Sequence, residues 1–226
     1  MATVLLDLDG TLTDPALGIT NCIAYALTRL HIQPPPASEL HFAIGPPLRG
    51  SFATLLGTTD LTTIEEALSF YRERFATVGL FENMVYEGVP QMLADLKANH
   101  FRLLLATAKP QVYATRILEH FNLRAAFDHV YGSELDGTRQ HKTDLLAYLI
   151  AEQNLAPANA VMIGDRHHDI DGARANGCRS LGVTYGYGCA DELAQADAIV
   201  DHVAKIAPTV TMMLGAANTD QPDFWG

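Results

Sequence analysis

Cysteine is scarce in this sequence, and the few cysteines present lack the spacing of a disulfide or zinc framework. Among 226 residues there are three, Cys22, Cys178 and Cys189. They are odd in number and far apart, which argues against a disulfide-stapled fold and against a structural zinc site. Thiols of this kind fit a reducing compartment, so we expect a cytoplasmic protein.

Basic residues are also few. The chain has 15 Lys and Arg residues against 26 Asp and Glu residues, which gives a net charge of −11 at pH 7. This charge repels nucleic-acid phosphate and anionic lipid, so we expect neither a nucleic acid polymer nor a membrane surface as a partner. An anionic ligand would need local positive charge at its site, such as a bound cation.

Long apolar runs are absent as well. No segment approaches the roughly 20 apolar residues of a membrane-spanning helix. The N-terminal apolar run stops at Asp7, which is too short for a signal sequence. Because 48% of the residues are hydrophobic, the chain can bury a substantial core. We therefore expect a soluble globular protein, either a monomer or a dimer.

Short apolar runs alternate with stretches of helical periodicity over most of the chain. The runs, of which the last is the weakest, are residues 4–8, 101–106, 129–132, 160–163, 180–184 and 198–200. Apolar residues recur at helical spacing between them, as in Val89, Met92, Leu93 and Leu96. Such alternation predicts βαβ units, that is, an α/β fold with a Rossmann-like parallel sheet covered by helices on both faces.

Residues 15–85 interrupt this alternation, because they carry helix signals but no convincing strand. We interpret them as a small helical domain inserted into a core formed by residues 1–14 and 86–214. Within the insertion, residues 44–49 (Ile-Gly-Pro-Pro-Leu-Arg) predict a rigid turn that cannot continue a helix and can reach a site on the core. Residues 215–226 are small and polar, and we expect a flexible tail there.

Pairs of acidic residues follow two of the predicted strands. Asp7 and Asp9 end the first strand, and Asp165 and Asp169 follow the strand at 160–163. Taken singly, the first pair could be an Asp-Gly turn and the second a helix N-cap. At the carboxyl edge of a parallel sheet, however, both pairs face one crevice, where four carboxylates require a cation. Oxygen ligands without cysteine indicate a hard cation, and Mg²⁺ is the usual one beside phosphate.

Positive and neutral anion-binding groups occur at two further positions. Thr107 and Ala108 follow the strand at 101–106 and precede a helix, so a hydroxyl and free backbone amides meet there. Lys142 begins the helix that contains Leu145 and Leu149, where it could balance the acidic cluster or lie on a solvated helix surface.

Taken together and in this order, the motifs resemble those of haloacid dehalogenase superfamily phosphatases. They are DLDGT at residues 7–11, Thr107, Lys142 and GDRHHD at residues 164–169, and the helical insertion resembles the cap of that family. Stretches such as AIGPPLRGSF and YGSELDGTRQHK further resemble the phosphoglycolate phosphatase-like branch, including members described as 5′-nucleotidases.

The resemblance implies a role for each matching residue. Asp7 is the implied nucleophile, which forms an aspartyl-phosphate, and Asp9 the implied acid and base. Thr107 and Lys142, with the Ala108 amide, are implied to hold the phosphoryl oxygens; relatives often have Asn at the position of Ala108. The implied Mg²⁺ ligands are the Asp7 carboxylate, the Asp9 carbonyl and Asp165, with Asp169 as a ligand or a support for one.

We therefore expect a Mg²⁺-dependent phosphomonoester hydrolase that acts on a small phosphorylated metabolite, either a nucleoside 5′-monophosphate or a phospho-acid such as phosphoglycolate. An acid at Asp9 favours this reaction over dehalogenation, because halide leaves without a proton. A sugar-phosphate mutase and a catalytically quiet binding module of the same fold stay open as alternatives.

Arg49 is the predicted substrate-selecting residue, with an exposed cap arginine as the alternative. We expect His167 and His168 to be surface or orienting residues rather than metal ligands. Gly186 and Gly188 form a GxG without the rest of a dinucleotide-binding motif, which argues against NAD. The aromatics Phe70, Tyr71 and Phe75 of the insertion are expected to pack in a core rather than to form a base-stacking platform.

Overall fold

A six-stranded parallel sheet lies at the centre of the computed structural model, which describes residues 1–215. The strands are β1 (Thr3–Leu6), β2 (Thr13–Asp14), β3 (Met84–Val85), β4 (Arg102–Pro110), β5 (His129–Ser133), β6 (Ala160–Gly164), β7 (Arg179–Val183) and β8 (Ala198–Val200). The sheet has the order β5-β4-β1-β6-β7-β8. The predicted α/β fold is thus confirmed, and all six predicted runs form its strands.

Helices cover both faces of the sheet. They are α1 (Ala16–Arg29), α2 (Leu48–Leu56), α3 (Leu61–Arg74), α4 (Val89–Ala98), α5 (Gln111–His120), α6 (Lys142–Glu152), α7 (His167–Ala175), α8 (Ala190–Leu193) and α9 (Ile206–Leu214). Successive residues of β1 point to opposite faces: Leu5 packs in the cluster that contains Leu145 of α6, whereas Val4 and Leu6 pack in the cluster that contains Leu93 of α4. Because β1 is buried on both faces, Val4, Leu5 and Leu6 are all apolar and show no alternation with polar residues.

Residues 16–79 are largely helical, and the sequence predicted neither the 3-10 helix Ala37–Ala43 nor α2 within them. The predicted rigid turn at residues 44–49 is shorter than expected, because Leu48 and Arg49 already belong to the first turn of α2. Pro47 precedes that turn, where it costs no hydrogen bond, since the first amides of a helix have no partner within the helix.

Two short strands close the base of this insertion. Thr13 of β2 pairs antiparallel with Val85 of β3, and Asp14 pairs with Met84. The expectation of no strand between residues 14 and 86 is therefore wrong at this end, because two-residue strands are too short to show an alternating pattern. The division into a core and a cap domain at residues 15–85 stays a prediction.

Two further expectations concern the ends and the surface. The predicted flexible tail, residues 215–226, lies outside the described residues apart from Gly215. Within residues 1–215, none of the helices combines the length and the apolar character needed to cross a membrane.

Candidate active site

The carboxyl edge of three adjacent strands brings most of the predicted site residues together. Asp7 and Asp165 directly follow β1 and β6, which pair in parallel, and Thr107 lies near the end of the neighbouring β4. Lys142 begins α6, and Asp169 lies in the first turn of α7. All five side chains are buried, with at most 5% of any of these residues exposed. This crevice is the candidate active site.

Lys142 links two of the carboxylates. Its Nζ lies 3.1 Å from Asp7 Oδ1 and 2.7 Å from Asp169 Oδ1, and it donates a hydrogen bond of 2.7 Å to the carbonyl of Ala106. Burial by itself would lower the pKa of Lys142, but Asp169 and Asp7 outweigh burial and raise it. Lys142 is therefore a fixed positive charge beside Asp7, and the alternative of a solvated helix surface is wrong.

Asp169 has two roles at once. Besides the ion pair with Lys142, its Oδ2 accepts a hydrogen bond of 3.2 Å from the backbone amide of Arg166, which caps α7. Burial raises the pKa of Asp169 to about 6, and Asp7 acts in the same direction. The capping role that the sequence left open is therefore real and coexists with a place in the site.

Asp165 is enclosed by glycines and by one backbone amide. A Cβ on Gly10 or on Gly186 would lie 2.2 Å or 2.4 Å from Asp165 Oδ2, and one on Gly188 would lie 1.7 Å from the Asp165 carbonyl oxygen. These approaches let the amide of Tyr187 donate to Oδ2 at 2.7 Å. The GxG that lacks a dinucleotide motif thus encloses a carboxylate, which explains its glycines without a nucleotide.

The carboxylates of Asp7, Asp165 and Asp169 form a cluster that can bind a cation. One oxygen from each lies within 4.8 Å of the others. Within the described residues, the buried Oδ1 of Asp165 has no hydrogen-bond partner. Burial, with added repulsion from Asp169 and Asp7, raises the pKa of Asp165 to about 8. A divalent cation would satisfy this free oxygen and relieve the repulsion.

Asp9 faces a lysine that the sequence analysis did not assign to it. Asp9 Oδ2 lies 2.7 Å from Nζ of Lys109, and both side chains are buried. Burial raises the pKa of Asp9, while Lys109 acts to lower it. Lys109 also lies 4.7 Å from the ring centroid of Phe75. Its position two residues after Thr107 was the available signal, since a strand end at this edge faces the crevice.

Thr107 and Ala108 lie inside β4 rather than after it, because the strand continues to Pro110 with a register shift between Ala106 and Pro110. The register shift interrupts the regular pairing with β5 at these residues. The Thr107 hydroxyl accepts a hydrogen bond of 3.2 Å from the Lys109 amide, and its own proton is available to a ligand.

Among the described residues, one cavity lies beside Asp9 and another lies beside Asp7, and residues Gly45 and Pro47 line both. The first, of about 100 Å³, contains Asp9, Lys109 and the aromatic side chains Tyr71, Phe75 and Tyr113. The second, of about 180 Å³, contains Asp7, Ala108, Lys142, His168 and Asp169. One cavity is therefore polar and close to Asp7, and the other has an apolar wall beside Asp9.

Arg49 lines the first cavity, but its guanidinium is engaged by the cap. Its Nε donates to Glu65 Oε1 at 2.7 Å, and the structure does not bring it to the carboxylate cluster. Tyr71 and Phe75 stack on each other with centroids 5.2 Å apart and are buried, as expected for packing residues.

The two histidines lie at the side of the site. His167 Nδ1 lies 2.8 Å from Glu192 Oε2, and the rings of His167 and His168 are 3.8 Å apart. Burial, aided by His167, lowers the pKa of His168 to about 4. Neither histidine belongs to the Asp7, Asp165 and Asp169 cluster, and their orienting role stays a prediction.

Comparison with known proteins identifies the class of enzyme to which this site belongs. The model of the haloacid dehalogenase-like hydrolase family matches residues 4–183. The chain therefore belongs to the haloacid dehalogenase-like hydrolase family.

Individual relatives carry enzyme names. A 5′-nucleotidase of Pseudomonas aeruginosa is 47% identical over 190 residues, which cover 84% of this chain and 86% of that protein. Tyrosine-protein kinase PtkA of Mycobacterium tuberculosis is 37% identical over 205 residues, or 90% of this chain and 69% of that protein. A crystal structure of a predicted phosphatase from Clostridium acetobutylicum superposes with a TM-score of 0.90 at 42% identity, covering 94% of this chain and 99% of that one. The prediction of a phosphatase of this family is confirmed.

Proposed function

We propose that the protein is a Mg²⁺-dependent phosphomonoesterase that works through an aspartyl-phosphate on Asp7. The observation that carries the proposal is the position of Asp7, whose carboxylate lies beside the buried ammonium of Lys142 and within 4.8 Å of two further carboxylates. A carboxylate in this setting can attack an anionic phosphoryl group, because Lys142 and a cation bound by the carboxylates would neutralise the negative charge of that group.

The proposed reaction uses two aspartates in turn. An Asp7 oxygen bonds to phosphorus while the bond from phosphorus to the leaving alcohol oxygen breaks, and Asp9 gives that oxygen its proton. Asp9 then accepts a proton from water, whose oxygen attacks the aspartyl-phosphate and releases inorganic phosphate and free Asp7. The raised pKa of Asp9 supports the first role, since a proton must be present on it when the alcohol leaves.

Other residues hold the phosphoryl group between these steps. Lys142 supplies positive charge, and the Thr107 hydroxyl and the Ala108 amide supply hydrogen bonds to the phosphoryl oxygens. Asp7, the Asp9 carbonyl and Asp165 are the proposed Mg²⁺ ligands. Asp169 holds Lys142 and lies close enough to be a further ligand. A bound Mg²⁺ would neutralise charge on the phosphoryl oxygens.

For the substrate we propose a small phosphorylated metabolite, with nucleoside 5′-monophosphates first. The apolar part of the lining of the first cavity suits a leaving group with an apolar face, and the 5′-nucleotidase relative supports this choice. A short phospho-acid such as phosphoglycolate is the second candidate, and Arg49 is its proposed anion partner if the guanidinium exchanges Glu65 for a ligand. We place the enzyme in the cytoplasm as a monomer or dimer.

The decisive test compares Asp7→Asn with Asp144→Asn, a variant of an exposed aspartate in the first turn of α6. Phosphate release is measured with and without Mg²⁺ on nucleoside 5′-monophosphates, phosphoglycolate, a sugar phosphate and an aryl phosphate. We expect Mg²⁺-dependent release that Asp7→Asn abolishes, with circular dichroism unchanged, and that Asp144→Asn retains.

Three results would contradict the proposal. If Asp7→Asn retains activity, Asp7 is not the nucleophile. Phosphate transfer to a second sugar position, without release, identifies a mutase instead. No turnover of any substrate under any divalent cation leaves a binding module.

A further inference from the structure

A buried arginine connects the candidate active site to the cap. Arg166 lies in the sequence between Asp165 and Asp169 and is 9% exposed. Its Nη1 donates a hydrogen bond of 2.6 Å to the backbone carbonyl of Ile44, 122 residues away, and its Nε lies 2.9 Å from Glu192 Oε2. One side chain therefore bonds both to the cap and to the helix that follows β7.

The carbonyl of Ile44 belongs to residues 44–47, which we name the cap loop. Gly45 has a φ of +98°, and a Cβ added to it would lie 3.1 Å from Cγ of Arg166. The loop therefore runs along the arginine stem at a distance that favours glycine, in a conformation that other residues rarely adopt. Because Gly45 and Pro47 line both cavities, the position of the cap loop determines the shape of both.

Glu192 keeps the guanidinium in place. Besides Arg166 Nε, its Oε2 accepts hydrogen bonds from the His167 amide at 3.3 Å and lies 2.8 Å from His167 Nδ1. Its Oε1 accepts a bond of 3.4 Å from the Cys189 amide. A carboxylate that accepts from several donors is held in place. Because Glu192 binds Nε of the planar guanidinium, Nη1 of Arg166 is directed at the cap loop.

We propose that Arg166 is a positioning residue for substrate selection: it holds the cap loop over the two cavities so that a large leaving group contacts the loop. This inference rests on the proposed phosphomonoesterase function. It predicts that losing Arg166 weakens binding of substrates with large leaving groups, while a substrate whose leaving group cannot reach the cap loop is less affected. The proposed role requires no contact between Arg166 and the phosphorus or the leaving oxygen.

The test compares Arg166→Met, which keeps the length but removes every donor, with Arg166→Lys, which keeps one donor group. Arg174→Met changes an exposed arginine of α7, the helix that Arg166 precedes, and is the matched control. Acetyl phosphate, whose leaving group is small, and the best nucleoside monophosphate or phospho-acid from the panel are the substrates. Amide hydrogen exchange at residues 43–50 reports directly on the cap loop.

For Arg166→Met we expect the KM of the larger substrate to rise about 10- to 100-fold, as for loss of a charge-assisted hydrogen bond, with a smaller change for acetyl phosphate. We also expect faster exchange at residues 43–50, partial recovery of both properties in Arg166→Lys, and no change in Arg174→Met. Equal losses on both substrates with unchanged exchange would overturn the inference.

The inference can be tested even if the wild-type protein is inactive or the Arg166→Met variant does not fold. If the wild-type protein hydrolyses no phosphate ester, the proposed function fails, whereas the exchange measurement still tests whether Arg166 holds the cap loop. If Arg166→Met does not fold, Glu192→Gln removes the anchor of the guanidinium. That variant is expected to show the same substrate split, and an equal loss on both substrates would overturn the inference.

Discussion

Mg²⁺ is expected to stabilise the folded protein much more at pH 8 than at pH 5. The reason is Asp165, whose pKa burial and the neighbouring Asp169 and Asp7 raise to about 8 in the cation-free protein. An aspartate in the unfolded chain has a pKa near 3.9. The folded state therefore holds a proton that the unfolded state has lost, and the cation-free protein loses stability as the pH rises from about 4 to about 8.

The size of the effect follows from this difference. Each pH unit between the two pKa values corresponds to about 1.4 kcal/mol, so the cation-free protein at pH 8 lacks on the order of 5 kcal/mol that it has below pH 4. At pH 5 a cation must displace the Asp165 proton, which weakens its apparent affinity by about three orders of magnitude relative to pH 8. Mg²⁺ at 100 times its pH 8 Kd then contributes about 2.7 kcal/mol at pH 8 and almost nothing at pH 5.

The assay is thermal unfolding with EDTA or with Mg²⁺ at each pH. For a chain of this length, about 2.7 kcal/mol corresponds to a rise in Tm of roughly 5 to 10 °C. Asp165→Asn replaces the carboxylate by a neutral group of the same shape. We expect this variant to lose both the Mg²⁺ effect and the fall in stability between pH 4 and 8, whereas Asp144→Asn keeps both.

Two results would refute this reasoning. An equal rise in Tm with Mg²⁺ at pH 5 and pH 8 would mean that no buried carboxyl proton competes with the cation. A full Mg²⁺ effect in Asp165→Asn would mean that the cation binds somewhere other than the cluster around Asp165.

Two other substitutions test the cap and the acid. A Cβ on Gly18 would lie 2.1 Å from the carbonyl oxygen of Gly79, so Gly18→Ala is expected to lower the free energy of unfolding in urea by about 1–3 kcal/mol. Gly50→Ala, which meets open space within α2, should not lower it and serves as the control; equal stability of the two variants would contradict the packing argument. Lys109 lowers the pKa of Asp9, so Lys109→Met should move the basic limb of the kcat/KM profile to higher pH, and an unmoved limb would show that Asp9 is not the acid.

The sheet and the carboxylate cluster were predictable because both depend on local patterns. Strands buried on both faces have continuous apolar runs, and six such runs were visible. Parallel strands end at the same edge, so polar residues after Leu6 and Ile163 had to meet once the topology was inferred. No long-range contact was needed for that step.

The cap was less predictable because its local signals conflict. Gly45, Pro46 and Pro47 indicate a turn, and the short helix α2 that begins directly after them has only nine residues to show a periodic pattern. The pairing of β2 with β3 depends on residues about 70 positions apart. Such a pairing has no signature in either two-residue segment.

Local patterns in the sequence were enough to predict the six strands of the parallel sheet, the positions of Asp7, Asp9 and Asp165 at strand ends, and an excess of negative charge that calls for a cation. Which basic side chains pair with those carboxylates depends on the tertiary structure. Lys109 pairs with Asp9, and Arg166 reaches Ile44, because folding buries long polar side chains that a local pattern assigns to the surface. Burial of charge depends on partners distant in the chain, and only the folded chain specifies them.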